Sequence, residues 1–270
     1  ITSHFFGAGD CPQVDINLSE GLTVIDAYAF SGAKMVKRVT LPSTLKTINI
    51  DAFRQSLITE ITIPRSIQSI SERAFKDCLN LKTVTFENGD LNAATYPDTA
   101  SLLTTIGAYA FENSGVQTLK FPYNLTTISE GAFANCSELV EILSLEMVRT
   151  IGENAFGGCE KLQKISTNNR VETISAGAFK NTKALVSVTF DNVKKIGKQA
   201  FAGSGLTRFI SLSEKYNKFK PYASESATEA VTVLTFTDPI SPEGEFADYL
   251  TGRNDGSGYT YSDYVYKLEK

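Results

Sequence analysis

Four cysteines and one histidine are the residues of this sequence that could bind a metal ion, attack a substrate or form disulfides. They are Cys11, Cys78, Cys136, Cys159 and His4. A structural zinc site normally uses thiolates or imidazoles at short spacing, and the sequence contains no C-x-x-C pair. The sequence therefore predicts no metal site and no cofactor.

The other reactive side chains are dispersed along the chain. General acid-base catalysis needs carboxylates or histidines gathered in a pocket, and neither a phosphate-binding glycine loop nor a hydrolase nucleophile elbow is present. The segment NDGSG at 254–258 lacks the spaced oxygen ligands of a calcium loop and is interpreted as a turn. We therefore expect a protein that is not an enzyme.

An internal repeat organises most of the chain. The motif I-x-x-x-A-F occurs eight times, and successive isoleucines are separated by 23, 22, 36, 22, 23, 23 and 22 residues. The long interval equals one repeat plus a thirteen-residue insertion. The isoleucines are Ile25, Ile48, Ile70, Ile106, Ile128, Ile151, Ile174 and Ile196. Such a period indicates stacked structural units that share one core.

The cysteines fit this repeat. Three residues after each phenylalanine stands a small residue, and three cysteines occupy that position. The series is Ala33, Ser56, Cys78, Ser114, Cys136, Cys159, Thr182 and Ser204. Free cysteines behave as small buried hydrophobes, so a packing role is predicted, with Cys11 at the same position of a degenerate first turn. Cys136 and Cys159 lie one repeat apart, but parallel side chains rarely reach disulfide torsion.

A short alternating segment follows the small residue in each repeat, for example LKTVTF at 81–86 and VQTLKF at 116–121. Alternation of apolar and polar residues is typical of a strand with one buried face. Ser71, Ser129 and Ser175 follow the motif isoleucine and are interpreted as N-caps of short helical turns. Each repeat is thus predicted to contain one strand, a turn and a compact Ile-Ala-Phe segment. Strands of successive repeats should pair in parallel about 4.8 Å apart.

The combined pattern C-x-x-L-x-x-[IV]-x-[FIL]-P-x-x-[LIV]-x-x-I-[GS]-x-x-A-F closely resembles the BspA-type leucine-rich repeat of bacterial surface proteins, over about residues 14–212. The resemblance implies an α/β solenoid: a right-handed leucine-rich-repeat stack with short parallel strands and short helical turns, capped at both ends. It also implies export to the cell surface or medium, and adhesion or binding of host or partner proteins. The family offers no catalytic residues to transfer. An upstream export signal is expected to precede Ile1.

We expect one domain over residues 1–270. Residues 1–24 form an N-terminal cap and half-repeat, 25–212 form eight repeats with an insertion at 87–101, and 213–270 form an irregular C-terminal cap. Within that cap, residues 231–236 should form one more strand. A tyrosine-lined ligand site is the alternative for the cap. The insertion is either a binding element or a tolerated loop.

The outward positions of the strands are the predicted partner site if the strands line a concave face. These residues are Arg38, Glu60, Thr62, Thr83, Thr85, Thr118, Lys120, Glu141, Leu143, Lys164, Arg208 and Ile210. The expected partner is an extracellular-matrix or partner-cell surface protein, bound by a monomer. A net charge of −4 argues against nucleic acid, and no segment is apolar enough to span a membrane. The alternative function is a structural spacer that displays another domain and binds nothing itself.

Overall fold

The strands of the chain stack into a parallel solenoid with two sheets. The computed structural model describes residues 13–87, 100–166, 170–190, 193, 195–197 and 199–206, together with the backbones of the strands at 208–211 and 232–235. Odd-numbered strands from β1 to β13 form one seven-stranded sheet, and even-numbered strands from β2 to β16 form an eight-stranded sheet. Each of the first seven turns therefore contributes one strand to each of these two sheets.

The first sheet carries the longer strands that the alternating pattern predicts. Its members are β1 (Val14–Asn17), β3 (Val36–Thr40), β5 (Glu60–Ile63), β7 (Thr83–Phe86), β9 (Thr118–Lys120), β11 (Glu141–Ser144) and β13 (Lys164–Ile165). All neighbours pair in parallel. A three-stranded sheet of β15 (Ser187–Thr189), β17 (Arg208–Ser211) and β18 (Thr232–Thr235) lies beyond β13.

The second sheet was not expected from the sequence. It consists of two-residue strands that end on the motif isoleucine: β2 (Val24–Ile25), β4 (Thr47–Ile48), β6 (Ser69–Ile70), β8 (Thr105–Ile106), β10 (Thr127–Ile128), β12 (Thr150–Ile151), β14 (Thr173–Ile174) and β16 (Lys195–Ile196). Each isoleucine pairs with the isoleucine of the next turn. The predicted single strand per repeat is therefore corrected to two.

The core is a set of apolar columns that run along the stack. The eight motif phenylalanines are fully buried, and neighbouring rings are stacked with centroids 4.8 to 5.5 Å apart. The column is Phe30, Phe53, Phe75, Phe111, Phe133, Phe156, Phe179 and Phe201. The predicted burial of Phe75, Phe111 and Phe179 is confirmed. A single turn could not enclose these rings, so each turn depends on its neighbours for its hydrophobic stabilisation.

The short helical turns expected after the isoleucines are not found among the described residues; hydrogen-bonded turns take their place. In every repeat the third and seventh residues after the isoleucine are left-handed, with φ between 49° and 77°. A right-handed helix cannot pass through a left-handed residue. Ser71, Ser129 and Ser175 are therefore not helix N-caps. Each accepts a hydrogen bond at its main-chain oxygen from the motif alanine three residues later.

The left-handed residues give the turns a third ladder of hydrogen bonds between repeats. The amide of Phe30 donates to the carbonyl oxygen of Ala52 (2.6 Å), and Phe53 donates to Ala74 in the same way (2.7 Å). Equivalent bonds join each later motif phenylalanine to the motif alanine of the next turn, except the last. The ladder pairs main-chain groups that are buried between the turns and would otherwise lack partners. It requires the two backbones to approach closely, and the small side chain of the motif alanine permits this approach.

The small-residue position is a buried hydrogen-bonding column. Cys78, Cys136 and Cys159 are free thiols with no exposed surface. The Sγ atom of Cys136 donates to the carbonyl oxygen of Phe111 (3.1 Å) and lies 3.3 Å from the Oγ atom of Ser114. Cys78 and Cys159 bond equivalent phenylalanine carbonyl oxygens at 3.0 and 3.2 Å. The predicted packing role of these three cysteines is confirmed, whereas Cys11 lies outside the described residues.

We expect the buried thiols to lower the stability of the protein in alkaline solution. Burial raises the pKa of Cys78 to about 12 and that of Cys136 to about 11, and it also raises the pKa of Cys159. The folded chain then holds these protons more tightly than the unfolded chain, whose thiols titrate at about 8.5. The free energy of unfolding should therefore fall as the pH rises from about 9 toward 11.

Urea unfolding in reducing buffer at several pH values would measure this fall, with Cys136→Ser as the matched variant. Serine occupies the same position at Ser56 and Ser114, so the variant should differ by about 1 kcal/mol or less at pH 8. Its stability should decline less steeply above pH 9 because one titrating thiol is gone. If the free energy of unfolding fell equally steeply with pH in the two proteins, the interpretation of Cys136 as a buried, protonated thiol would be contradicted.

A strand is present at each end of the stack, within the segments that are predicted to be caps. The predicted half-repeat forms β1, which pairs with β3. The strand predicted at 231–236 is present as β18, which pairs antiparallel with β17 and reverses the direction of the sheet. The capping roles of residues 1–24 and 213–270 remain predictions. The tyrosine-rich segment, residues 254–258 and insertion residues 88–99 lie outside the described part of the chain.

Candidate functional site

The predicted partner residues lie on the outward side of the first sheet, which we name the strand face. Alternation along each strand places the apolar residues in the core and the polar ones in solvent, as in β5, where Glu60 and Thr62 are exposed and Ile61 and Ile63 are buried. Among the other predicted residues, Arg38, Thr83, Thr85, Thr118, Lys120, Leu143 and Lys164 are exposed and Glu141 is half-buried. Arg208 and Ile210 belong to β17, whose side chains lie outside the described part.

Five of these residues meet at one cavity of about 460 Å³ in the middle of β3, β5 and β7. The pairing of Arg38 with Glu60, of Glu60 with Thr83 and of Thr62 with Thr85 brings them together. We name this the strand-face cavity. It is lined by Arg38, Val39, Thr40, Leu41, Glu60, Ile61, Thr62, Pro64, Thr83, Thr85 and Glu87.

Six lining residues of this cavity were not among the predicted partner residues: Val39, Thr40, Leu41, Ile61, Pro64 and Glu87. Thr40 belongs to the same outward column as Thr62 and Thr85, so the repeat alignment contained the signal that places it there. Glu87 stands where three other repeats have proline, at Pro42, Pro64 and Pro122, and this departure is a signal that could have identified it.

Charged groups at the cavity form a short chain of ion pairs. The Nε atom of Arg38 lies 2.8 Å from Oε1 of Glu60, and its Nη1 atom lies 3.5 Å from Oδ2 of Asp15 on β1. The Oε2 atom of Glu87 accepts a hydrogen bond from the main-chain amide of Arg65 (3.2 Å). Pairs between exposed side chains contribute little to folding, so these charges remain available to a partner.

The other end of the strand face is less polar. Leu143 is 44% exposed, Val140 39% and Val186 54%. A register shift between Ile142 and Ser144 places Ser144, rather than Leu143, opposite Lys120 of β9. Such an irregularity leaves one residue of the strand without a partner across the ladder, and here that residue is Leu143. The repeat period alone would place Leu143 beside Lys120, and the observed register differs from this.

Lys164 and Glu141 form an ion pair across β11 and β13, with 2.5 Å between Nζ and Oε1. Thr118 and Lys120 of β9 lie between the cavity and Leu143. The predicted residues thus do not form a single pocket. Five of them line the polar cavity over β3–β7, and the other described ones lie farther along the face on β9, β11 and β13. We name the exposed Leu143, together with the exposed Val140 that was not predicted, the apolar patch at β11.

The described residues contain neither a metal-binding cluster nor a membrane-spanning helix. No group of three or more histidine, cysteine, aspartate or glutamate side chains in that part of the chain could hold a metal ion. Among the same residues, no helix has the length and hydrophobicity needed to cross a membrane.

The sequence profile of the BspA-type leucine-rich repeat region, with six copies, matches residues 1–102 and 104–230. The chain belongs to the BspA-type leucine-rich repeat family. This BspA-type chain has no match among curated proteins.

Solved structures with similar folds come from bacteria. The leucine-rich repeat protein TpLRR of T. pallidum superposes with a TM-score of 0.50 at 21% sequence identity, covering 71% of this chain and 76% of that one. A leucine-rich cell surface protein of Faecalibacterium prausnitzii is 25% identical, with a TM-score of 0.43, and covers 70% of the BspA-type chain. The match spans 57% of the Faecalibacterium protein. The likeness to TpLRR supports the solenoid fold.

Proposed function

We propose that the chain is a non-catalytic protein-binding module of a secreted or cell-surface bacterial protein, and that its strand face binds the partner. The observation that carries the proposal is the strand-face cavity, where side chains from three successive strands converge. The partner class is an extracellular-matrix protein or a protein of another cell's surface, and adhesion is the corresponding role.

Three features support this function over catalysis. The three thiols in the described part of the chain are buried in the core and bonded to main-chain oxygens. The carboxylates of the cavity are exposed and paired with a cation or an amide, whereas a general acid or base usually acts within a pocket that positions it against the substrate. Stacked repeats also produce extended surfaces that suit protein ligands.

Two exposed threonines of the cavity give the direct test. The variant Thr62→Arg/Thr85→Arg should lose at least tenfold in affinity for the bound protein, equivalent to about 1.4 kcal/mol, because two long side chains would fill the cavity. The measurement is surface plasmon resonance of the whole chain over a panel of extracellular-matrix proteins, together with adhesion to intact partner cells.

The matched control is Thr104→Arg/Thr105→Arg, which adds the same charges at two exposed threonines in and beside β8 of the second sheet. This variant should bind like the wild type. Equal loss in both variants would show that added charge, rather than the strand face, causes the effect. Binding to no protein or cell of the panel would favour the alternative function, a structural spacer for another domain.

A further inference from the structure

The charges around the strand-face cavity are unbalanced. Two carboxylates, Glu60 and Glu87, line the cavity together with one guanidinium, that of Arg38. The carboxylate of Asp15 lies 3.5 Å from this guanidinium, outside the cavity lining. Arg38 is shared between Asp15 and Glu60, while Glu87 accepts its described hydrogen bond from a main-chain amide. The described groups that touch the cavity therefore leave an excess of negative charge.

Cations near the cavity do not cancel this excess from within it. Lys37 and Lys82 stand one position before the outward residues Arg38 and Thr83, and neither lines the cavity. The exposed hydroxyls of Thr62, Thr83 and Thr85 can accept hydrogen bonds alongside the carboxylates. Carboxylates and hydroxyls together form an acceptor-rich surface that suits a donor with positive charge, such as guanidinium or ammonium.

We infer that the strand-face cavity receives a lysine or arginine side chain of an extended partner segment. The inference rests on the proposed function and specifies the chemistry of its partner. A charged side chain bound among exposed groups contributes to orientation and association rate more than to affinity. A second contact must therefore supply hydrophobic binding energy.

The apolar patch at β11 supplies that second contact at a defined distance. Parallel strands lie about 4.8 Å apart, so three steps from β5 to β11 span about 14 Å. An extended segment rises about 3.4 Å per residue, and its residues i and i+4 lie on the same side about 13.5 Å apart. A segment that crosses the strands can thus place a basic side chain at Glu60 and an apolar one at Leu143.

The strand face between these points agrees with this arrangement. Residue i+2 of such a segment would lie about 7 Å from β5, between β7 and β9, where Thr85 and Lys120 are exposed. An amine at Lys120 favours a polar or acidic residue there and disfavours a second base. The inferred partner motif is therefore one basic residue, a polar residue two positions away, and an apolar residue four positions away.

Phage display of random twelve-residue peptides on the whole chain tests the inference. We expect enriched peptides to carry Lys or Arg four residues from a large apolar residue. A synthetic peptide from this set should bind Glu60→Gln/Glu87→Gln at least tenfold more weakly than the wild type. It should bind less tightly as salt is raised, because screening weakens exposed charge pairs.

The control is Glu138→Gln/Glu160→Gln, which removes the same charge from two carboxylates that are 47% and 52% exposed, as Glu60 is 53% exposed. Peptide affinity for this variant should stay within twofold of the wild-type value. Replacing the basic residue of the peptide by alanine should abolish the difference between wild type and Glu60→Gln/Glu87→Gln.

Three results would overturn the inference. They are enriched peptides that lack a basic residue, basic peptides that bind Glu60→Gln/Glu87→Gln as tightly as the wild type, and no enrichment at all. Glycan-array binding that depends on Glu60 and Glu87 would assign the cavity to sugars instead. In each case the proposed function is tested independently, by whether Thr62→Arg/Thr85→Arg loses binding to whole proteins.

Discussion

Replacing Phe133 by alanine should lower the free energy of unfolding by about 3–5 kcal/mol, the range found for other buried aromatic residues. The ring is fully buried. It is stacked between Phe111 at 5.0 Å and Phe156 at 5.5 Å, and it meets the edge of Phe121 at 5.5 Å. Truncation would open a cavity that the three neighbouring turns cannot close without breaking their hydrogen-bond ladders.

Urea or thermal unfolding of the two proteins would measure this loss. Leu79→Ala is the control because Leu79 is 63% exposed, and substitutions at exposed positions usually change stability by about 0.5 kcal/mol or less. A similar loss in both variants would show that the phenylalanine column does not stabilise the stack more than surface contacts do.

The repeat predicts the core so well because each buried position is tested eight times in one chain. The phenylalanine column and the small-residue position stand at fixed distances from the isoleucine in every turn, so an accidental residue in one turn does not obscure the pattern. This is why the repeat alone assigns Cys78, Cys136 and Cys159 to packing, although a cysteine by itself suggests several kinds of chemistry.

The turns were harder to predict because their signals are ambiguous. Serine after the isoleucine is typical of a helix N-cap, and it also favours turns through hydrogen bonds to its own backbone. The decisive left-handed positions are occupied by Tyr28, Arg73 and Tyr109 in some repeats and by Gly131 in another. Bulky residues seldom adopt this conformation, so the sequence did not reveal it. The two-residue strands before these turns are too short to show a period.

The candidate site was predicted residue by residue, while its shape was not. Alternation identifies which strand residues point outward, and Arg38, Glu60 and Thr62 were found in that way. The cavity depends on the register between three strands, and the position of Leu143 relative to Lys120 depends on an irregularity between β9 and β11. Neither feature is encoded in the period of one repeat. The charge excess at the cavity and its distance from the apolar patch therefore could not be predicted from the sequence.

At the residue after the motif isoleucine, what the repeat alignment implies differs most from what the structure implies. Ser71, Ser129 and Ser175 occupy this position in three turns, and Gly107, Gly152 and Gly197 occupy it in three others. An alignment of the repeats treats glycine and serine here as equivalent. The structure predicts that they are not, because the backbones approach too closely beside the glycines.

At Gly152 an added Cβ atom would lie 2.6 Å from the carbonyl carbon of Ser129, 2.7 Å from the amide nitrogen of Glu130 and 2.8 Å from the carbonyl oxygen of Ile128. All three are main-chain atoms of the preceding turn, so no side-chain rotation can relieve the contact. We expect Gly152→Ala to cost about 3 kcal/mol, the upper part of the usual range for overpacking. Gly152→Ser should cost at least as much, despite the serine at position 129.

The control isolates steric contact from backbone conformation. Gly32 has a φ of +67°, and a Cβ atom added there would meet nothing within 4 Å. Gly32→Ala should therefore lose only the cost of a left-handed alanine, about 1–2 kcal/mol. Urea unfolding would compare the variants, and hydrogen exchange of the Ile128 and Ile151 amides would locate the disruption at β10 and β12. If Gly152→Ser were as stable as the wild type, the close packing of these turns would be refuted, and with it the steric reason for glycine in alternate repeats.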